Sequence, residues 1–124
     1  MANDKESADT SFSERRQYPR VTVMIVFDNL YDSEKLVRIG RGFLRDLSMG
    51  GLCFEAKDNI RVGAKLSLTV ELPNGSVIKN LRAEVLRTKK ESSICAIGCK
   101  LHEIGFLNKI KIRMYINKEL KALL

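Results

Sequence analysis

The stretch that decides the fold of this chain is Lys65-Leu66-Ser67-Leu68-Thr69-Val70-Glu71-Leu72-Pro73-Asn74-Gly75. Its first eight residues alternate polar and apolar side chains, which is typical of a β-strand with one buried face. The Pro73-Asn74-Gly75 segment favours a tight turn between two strands. Because residues 77–88 are strand-like again, the stretch predicts a β-hairpin.

Further strand-like segments lie on both sides of this hairpin. We predict strands at residues 21–27, 36–44, 52–55 and 94–101, separated by turns such as Asp28-Asn29. Gly40 and Gly42 inside the second segment indicate a bend or a close approach of backbones. Five or six short strands without interleaved helices predict a mainly β domain, either an antiparallel barrel or a sandwich.

The hydrophobic period changes in the last twenty residues. Apolar side chains recur there at the i, i+3, i+4, i+8 and i+11 positions, namely Ile112, Tyr115, Ile116, Leu120 and Leu123. We predict one amphipathic helix that packs on the β-structure, with Asn108 as a candidate N-cap. A basic helix of this kind can instead bind a membrane surface or a partner protein.

The composition fits a single basic domain. The 124 residues carry 22 Lys and Arg against 15 Asp and Glu, and the net charge of +7 favours an anionic partner. Residues 1–13 are polar, and we expect a disordered N-terminal tail there, followed by one domain at residues 14–124. No membrane span is expected, since no stretch approaches the roughly 20 apolar residues that a span requires. Because a signal-peptide core is also absent, we expect a cytoplasmic protein.

Three cysteines, an odd number, fit reduced thiols better than a disulfide framework. Cys95 and Cys99 would lie about 13 Å apart on a strand at roughly 3.3 Å per residue, too far to share one metal ion with His102. We therefore expect no metal and no cofactor, and we expect the cysteines to be buried or half-buried apolar groups. His102 is the only histidine, no catalytic set can be assembled around it, and we expect no enzymatic activity.

Two short stretches carry the functional signal. The first is Arg16-Gln17-Tyr18-Pro19-Arg20, preceded by Arg15, and the second is Asp46-Leu47-Ser48-Met49-Gly50-Gly51. Guanidinium groups fit the O6 and N7 acceptors of guanine, stack on bases and bind phosphates. Because Pro19 disfavours a helix at the preceding residue, we expect the arginines on an extended segment that can wrap a ligand.

In the second stretch, the Asp46 carboxylate can accept hydrogen bonds from N1–H and the 2-amino group of guanine, a pair of donors that adenine lacks. Ser48 can offer its hydroxyl and its backbone N–H to a phosphate. Gly50 and Gly51 allow positive φ and a close approach of the backbone to a bulky anion. The two stretches together suit a ligand that contains both guanine and phosphate.

The order and spacing of the two stretches resemble the PilZ family of cyclic di-GMP receptors. The resemblance covers residues 14–124 and implies a small antiparallel six-stranded β-barrel with a C-terminal α-helix. It also implies a bacterial receptor that changes conformation when cyclic di-GMP binds and signals to a downstream protein partner. Members of the family act on motility, exopolysaccharide synthesis, adhesion or virulence.

Carried over to this sequence, the resemblance assigns guanine edges and phosphates to Arg16 and Arg20, and a guanine Watson–Crick edge to Asp46. It assigns the phosphate side of the ligand to Ser48 with Gly51. Arg15, directly before the first stretch, resembles members that bind a stacked dimer of the ligand.

Two other classes of protein remain open. A small basic nucleic-acid-binding β-barrel would suit the charge and the strand pattern. However, the five Phe and three Tyr residues are scattered and offer no stacking platform on one strand face, so we expect no nucleic-acid partner. An adaptor that has lost the ligand is disfavoured, because both stretches are intact.

Overall fold

The computed structural model of the protein describes residues 18–123. Its elements, in chain order, are β1 (Val21–Asp32), β2 (Val37–Leu47), β3 (Gly51–Ala56), β4 (Lys65–Glu71), β5 (Val77–Glu91), β6 (Ile94–His102) and α1 (Phe106–Ala122). The tail predicted at residues 1–13 and the arginines Arg15 and Arg16 lie outside the described residues.

The six strands form a closed antiparallel barrel, which confirms the predicted fold. The strand order is β1-β2-β3-β6-β5-β4, and pairing of β1 with β4 closes the sheet. The predicted hairpin is formed by β4 and β5, with Gly75 at its turn in the left-handed conformation at φ +91°. Leu66, Leu68 and Val70 point from β4 into the core and are at most 2% exposed. Closure leaves no unpaired sheet edge.

The first strand is longer than predicted. Asp28-Asn29 does not end it, because the second half of β1 continues to Asp32 and pairs with β4. The turn is formed around Asp32 instead, whose Oδ1 accepts hydrogen bonds from the N–H groups of Glu34 at 3.1 Å and Lys35 at 3.0 Å. The hydrogen bond from Lys35 is the main cause that lowers the pKa of the Asp32 carboxyl group.

The two glycines of β2 have the two roles that the sequence indicated. Gly40 has φ +127° and lies at an irregularity in the pairing with β1. Gly42 allows a close approach, since an ideal Cβ there would lie 2.5 Å from Cζ of Phe27. The Phe27 ring can therefore enter the core, where it packs edge-to-face on Phe54 with ring centroids 5.6 Å apart.

The helix packs on the barrel, as the sequence predicted. Ile112, Tyr115 and Ile116 are at most 3% exposed and belong to the same core as the strands. Lys111 anchors the helix to β5, because its Nζ donates to the backbone oxygen of Val77 at 3.0 Å.

The ends of the helix differ from the prediction. Gly105 is the N-cap residue, so Asn108 is not the cap and lies inside the first turn. Its side chain donates instead to the backbone oxygen of Lys79 at 2.9 Å. Leu123, predicted to belong to the apolar stripe, lies beyond α1 and is 80% exposed. Within residues 18–123, no helix combines the length and apolarity needed to cross a bilayer.

Candidate functional site

The two predicted stretches meet in space at Arg20 and Asp46. Arg20 directly precedes β1, and Asp46 lies near the end of β2, the strand that pairs with β1. The Nη1 atom of Arg20 is 3.2 Å from Oδ1 of Asp46, and the two side chains are only 20% and 25% exposed. Antiparallel pairing therefore joins two residues that are far apart in the sequence.

This ion pair leaves polar atoms unsatisfied. The contact between Arg20 and Asp46 has the distance of an ion pair but not the angles of a hydrogen bond. Within residues 18–123, Nε of Arg20 and Oδ1 of Asp46 are consequently buried without a hydrogen-bond partner. Each such atom costs about 1–3 kcal/mol. A ligand that offers an acceptor to Arg20 and a donor to Asp46 would recover this free energy.

Asp46 begins a row of residues that crosses four neighbouring strands. It lies opposite Cys53 of β3, Cys53 lies opposite Gly98 of β6, and Gly98 lies opposite Arg87 of β5. A surface cleft of about 210 Å³ is lined by Cys53, Gly98 and Arg87, and also by Arg20. The cleft therefore combines the first predicted stretch with strands from the other half of the barrel.

Ser48 organises the turn between β2 and β3. Its N–H donates to the backbone oxygen of Gly51 at 2.8 Å, and its hydroxyl oxygen accepts from the N–H groups of Gly50 and Gly51 at 3.2 and 3.1 Å. The Ser48 groups predicted to face a phosphate are thus engaged within the turn. The sequence allows positive φ at Gly50 and Gly51, but neither glycine has a positive φ in the structure.

The two glycines of this turn instead allow close packing within the protein. An ideal Cβ at Gly51 would lie 2.6 Å from the backbone oxygen of Cys99 on β6. An ideal Cβ at Gly50 would lie 3.0 Å from Cδ2 of Tyr18, which belongs to the first stretch. Gly51 therefore serves the approach of β3 to β6, and Gly50 serves the contact between the two stretches.

A Gly51→Ala variant should lower the free energy of unfolding by about 1–3 kcal/mol, because its methyl group would overlap a strand carbonyl that cannot rotate away. Urea denaturation of both proteins measures this difference. Gly105→Ala is the control, since an ideal Cβ at Gly105 has no heavy atom within 4 Å, and it should cost about 1 kcal/mol or less. Wild-type stability of Gly51→Ala would contradict the packing role.

Several residues of the cleft belong to neither predicted stretch, among them Cys53, Arg87 and Lys100. They lie on β3, β5 and β6, and they come together only because of the register in which these strands pair. Cys53 joins the predicted site directly, because Nη1 of Arg20 donates to its Sγ at 3.4 Å. The only sequence signal for these residues is the alternation of side chains along a strand, which predicts whether each one faces the core or the outer surface.

The three cysteines and the histidine are all partly or fully buried. Cys95 and Cys99 are buried and Cys53 is half-buried, as predicted. Burial raises the pKa of Cys99 to about 12, with a further rise from Cys53, so the Cys99 thiol stays protonated at neutral pH. His102 lies 2.7 Å from Oε1 of Glu84 through its Nε2 atom. No group of three His, Cys, Asp or Glu side chains within residues 18–123 is arranged to hold a metal ion.

Volume alone does not identify the site. A larger opening of about 490 Å³ lies beside Val26, Phe43 and Ile94, and none of its lining residues belongs to either predicted stretch. Another opening, of about 520 Å³, separates Tyr18 and Met49 from α1. The cleft beside Arg20 is distinguished by its chemistry, since its lining includes the guanidinium groups of Arg20 and Arg87 and the turn that Ser48 holds.

A closed antiparallel barrel with a cationic cleft on its outer face is an architecture that suits the binding of an anionic ligand. The chain belongs to the PilZ domain family, whose family model matches residues 14–118. A search of curated protein sequences finds no match.

Three solved structures share this fold. The Bacillus subtilis inhibitor of motility (MotI/DgrA) has a TM-score of 0.66 and 24% identity, over 86% of this chain and 52% of that chain. Escherichia coli YcgR in complex with c-di-GMP has a TM-score of 0.69 and 16% identity, over 87% and 47% of the two chains. The PilZ domain of Escherichia coli YcgR with c-di-GMP has a TM-score of 0.68 and 13% identity, over 88% of this chain and 94% of that chain. This chain spans about half the length of the first two proteins.

Proposed function

We propose that this chain is a cyclic di-GMP receptor without enzymatic activity that changes conformation on ligand binding and signals to a protein partner. The observation that carries the proposal is the 3.2 Å contact of Arg20 with Asp46, whose buried polar atoms lack hydrogen-bond partners within residues 18–123. The Asp46 carboxylate can accept hydrogen bonds from the N–H donors of guanine once the ligand displaces Arg20 from it. Arg20 has donors for the acceptor edge of guanine or for a phosphate.

The relatives support the choice of ligand and process. Escherichia coli YcgR is solved in complex with c-di-GMP, both as a longer chain and as its PilZ domain. The name of the Bacillus subtilis relative, an inhibitor of motility, makes motility the first process to test among motility, exopolysaccharide synthesis, adhesion and virulence. The free thiols of Cys53, Cys95 and Cys99 fit a reducing compartment, and we propose that the protein acts in the cytoplasm.

The proposed roles of the residues follow their positions. Arg20 binds a guanine edge or a phosphate, and Asp46 selects guanine. The turn held by Ser48 brings the backbone at Gly50 and Gly51 beside the phosphates, so that Ser48 acts by shaping the turn. Arg15 and Arg16, outside the described residues, add cationic groups from a domain that we propose to span residues 14–124.

A path from the ligand to a partner runs through Tyr18. Its ring lies against the backbone of Gly50, and it lines the opening that also contains Lys109 and Arg113 of α1. A ligand that pulls on Arg20 would move Tyr18 against this helix. We propose that the resulting change at the surface of α1 is what the protein partner detects.

Calorimetric titration of the purified chain with cyclic di-GMP, GTP and single-stranded DNA tests the proposed function. We expect cyclic di-GMP to bind in the micromolar range or tighter, about −8 kcal/mol or better, with much weaker binding of the other two ligands. Tight, salt-dependent binding of DNA with no response to cyclic di-GMP would favour the nucleic-acid-binding alternative. The arrangement of the exposed aromatic side chains does not favour nucleic-acid binding. Within residues 18–123 these side chains are Tyr18, Tyr31 and Phe106, and they do not share a strand face on which bases could stack.

The same titration gives the stoichiometry. We propose that Arg15 allows two stacked ligand molecules to bind, because two dianions close together require additional positive charge. The supporting result is a ratio near two ligands per chain that falls to one in Arg15→Ala. A ratio of one in the wild-type protein overturns the dimer but leaves the receptor function intact.

A further inference from the structure

The cleft contains a guanidinium group that belongs to neither predicted stretch, that of Arg87 on β5. Its Nη2 atom donates to Sγ of Cys53 at 3.8 Å, and Nη1 of Arg20 donates to the same sulfur at 3.4 Å. The segment before β1 and strand β5 are not neighbours in the barrel. Two positive groups from separate parts of the fold therefore converge on one atom of the cleft.

Gly98 of β6 determines where the Arg87 side chain lies. The two residues face each other across paired strands, and an ideal Cβ at Gly98 would lie 2.9 Å from Cζ of Arg87 and 3.1 Å from its Cγ and Nε. A real Cβ atom does not approach other heavy atoms this closely without a shift. The Arg87 side chain crosses β6 and reaches Cys53 on β3 because position 98 has no side chain.

This position of the guanidinium suits a base that is held by Asp46. Strand β3 lies between β2 and β6, and neighbouring strands are about 4.8 Å apart. Because Asp46 lies opposite Cys53, a guanine whose edge faces Asp46 and whose rings point toward the cleft extends over β3, where the guanidinium of Arg87 meets Cys53. A guanidinium group is planar and weakly hydrated, so it can stack on the face of a base.

We propose that Arg87 is a further ligand-binding residue, whose guanidinium plane stacks on the guanine that Asp46 holds by its edge. This inference rests on the proposed function and adds to it a second wall of the site, built from β5 and β6. Gly98 is a positioning residue, because it acts on the ligand through the conformation of Arg87.

Calorimetric titration of the whole chain with cyclic di-GMP tests the role of Arg87. Arg87→Ala should weaken binding about tenfold, because the stacked cation is removed. Arg87→Lys should weaken it by a similar factor, since lysine keeps the charge but has no planar group. Arg82→Ala is the matched control on the same strand. Arg82 is an exposed arginine that pairs with Glu103 away from the cleft, and its loss should leave the affinity unchanged.

Gly98→Ala tests the positioning role. Its methyl group would displace the flexible Arg87 side chain, so we expect weaker binding although the charge of the chain is unchanged. In the Arg87→Ala background the same substitution should have no further effect, because the side chain that it displaces is absent. Additive losses in the double variant would show that the methyl group blocks the ligand directly, and would overturn the positioning role.

The outcomes separate this inference from the proposed function. Wild-type affinity in Arg87→Ala or in Arg87→Lys, together with lost binding in Arg20→Ala, would overturn the stacking role alone. Absence of cyclic di-GMP binding by the wild-type chain would overturn both. Urea unfolding curves of the variants show that each is folded, so that weaker binding is assigned to the site.

Discussion

Arg20→Ala should weaken cyclic di-GMP binding by at least about 100-fold, since at least two charge-assisted hydrogen bonds of about 1.5–3 kcal/mol each would be lost. Arg20 is mostly buried, contacts Asp46 at 3.2 Å and donates to Cys53 at the cleft. Its removal also leaves the Asp46 carboxylate without the opposite charge, so the site would repel a dianionic ligand. Calorimetry of the variant and the wild-type chain measures the change.

Arg41→Ala is the control for this variant. Arg41 also forms an ion pair, with Asp28 at 2.8 Å, but its side chain is 75% exposed and lies outside the cleft. We expect Arg41→Ala to bind cyclic di-GMP as the wild-type chain does. Equal affinities of Arg20→Ala and the wild-type chain would remove Arg20 from the site.

Asp46→Asn should abolish the preference for guanine. The wild-type carboxylate can accept two hydrogen bonds from guanine, whereas an asparagine side chain has one acceptor and presents its own N–H donors to those of the base. Cyclic di-GMP binding should therefore weaken by about tenfold to 100-fold, because charged hydrogen bonds of about 1.5–3 kcal/mol are lost. Cyclic di-AMP should be weakly bound by both proteins.

Competition of the two cyclic dinucleotides for one labelled ligand measures this preference. The control is Asp28→Asn, which removes a surface carboxylate outside the cleft and should keep the preference. If the wild-type chain binds both cyclic dinucleotides equally, Asp46 does not select the base. If Asp46→Asn keeps a strong preference for cyclic di-GMP, another residue reads the guanine edge.

The strands and the helix could be predicted from the sequence because each shows in the pattern of polar and apolar side chains close together in the chain. The alternation at residues 65–72 and the turn at Gly75 determine the β4–β5 hairpin, and the apolar spacing from Ile112 to Ile116 determines the buried face of α1. The ends of the strands were predicted less accurately than their positions. β1 passes through Asp28-Asn29 because its second half pairs with β4, which is distant in the sequence. β5 continues to Glu91 because its last residues pair with the start of β6 across a short turn.

The turn between β2 and β3 shows that a motif can be recognised before its local geometry is known. From the sequence, Gly50 and Gly51 allow positive φ and a close approach of the backbone to an anion. In the structure, Ser48 closes the turn by itself, and the glycines allow contacts with Tyr18 and with the Cys99 backbone. Those contacts come from elements that the sequence around the turn does not contain.

The sequence by itself determined a mainly β domain, the terminal helix and the two stretches that include Arg20 and Asp46, because alternation, helical spacing and residue chemistry can be read over short distances, whereas the choice of a barrel over a sandwich came from the family resemblance. Only the tertiary structure decided that Arg20 meets Asp46 and Cys53, and that Arg87 reaches the same cleft across Gly98. The physical reason is strand register. Which residues face one another across β2, β3, β6 and β5 depends on the closure of the whole barrel, to which every strand contributes.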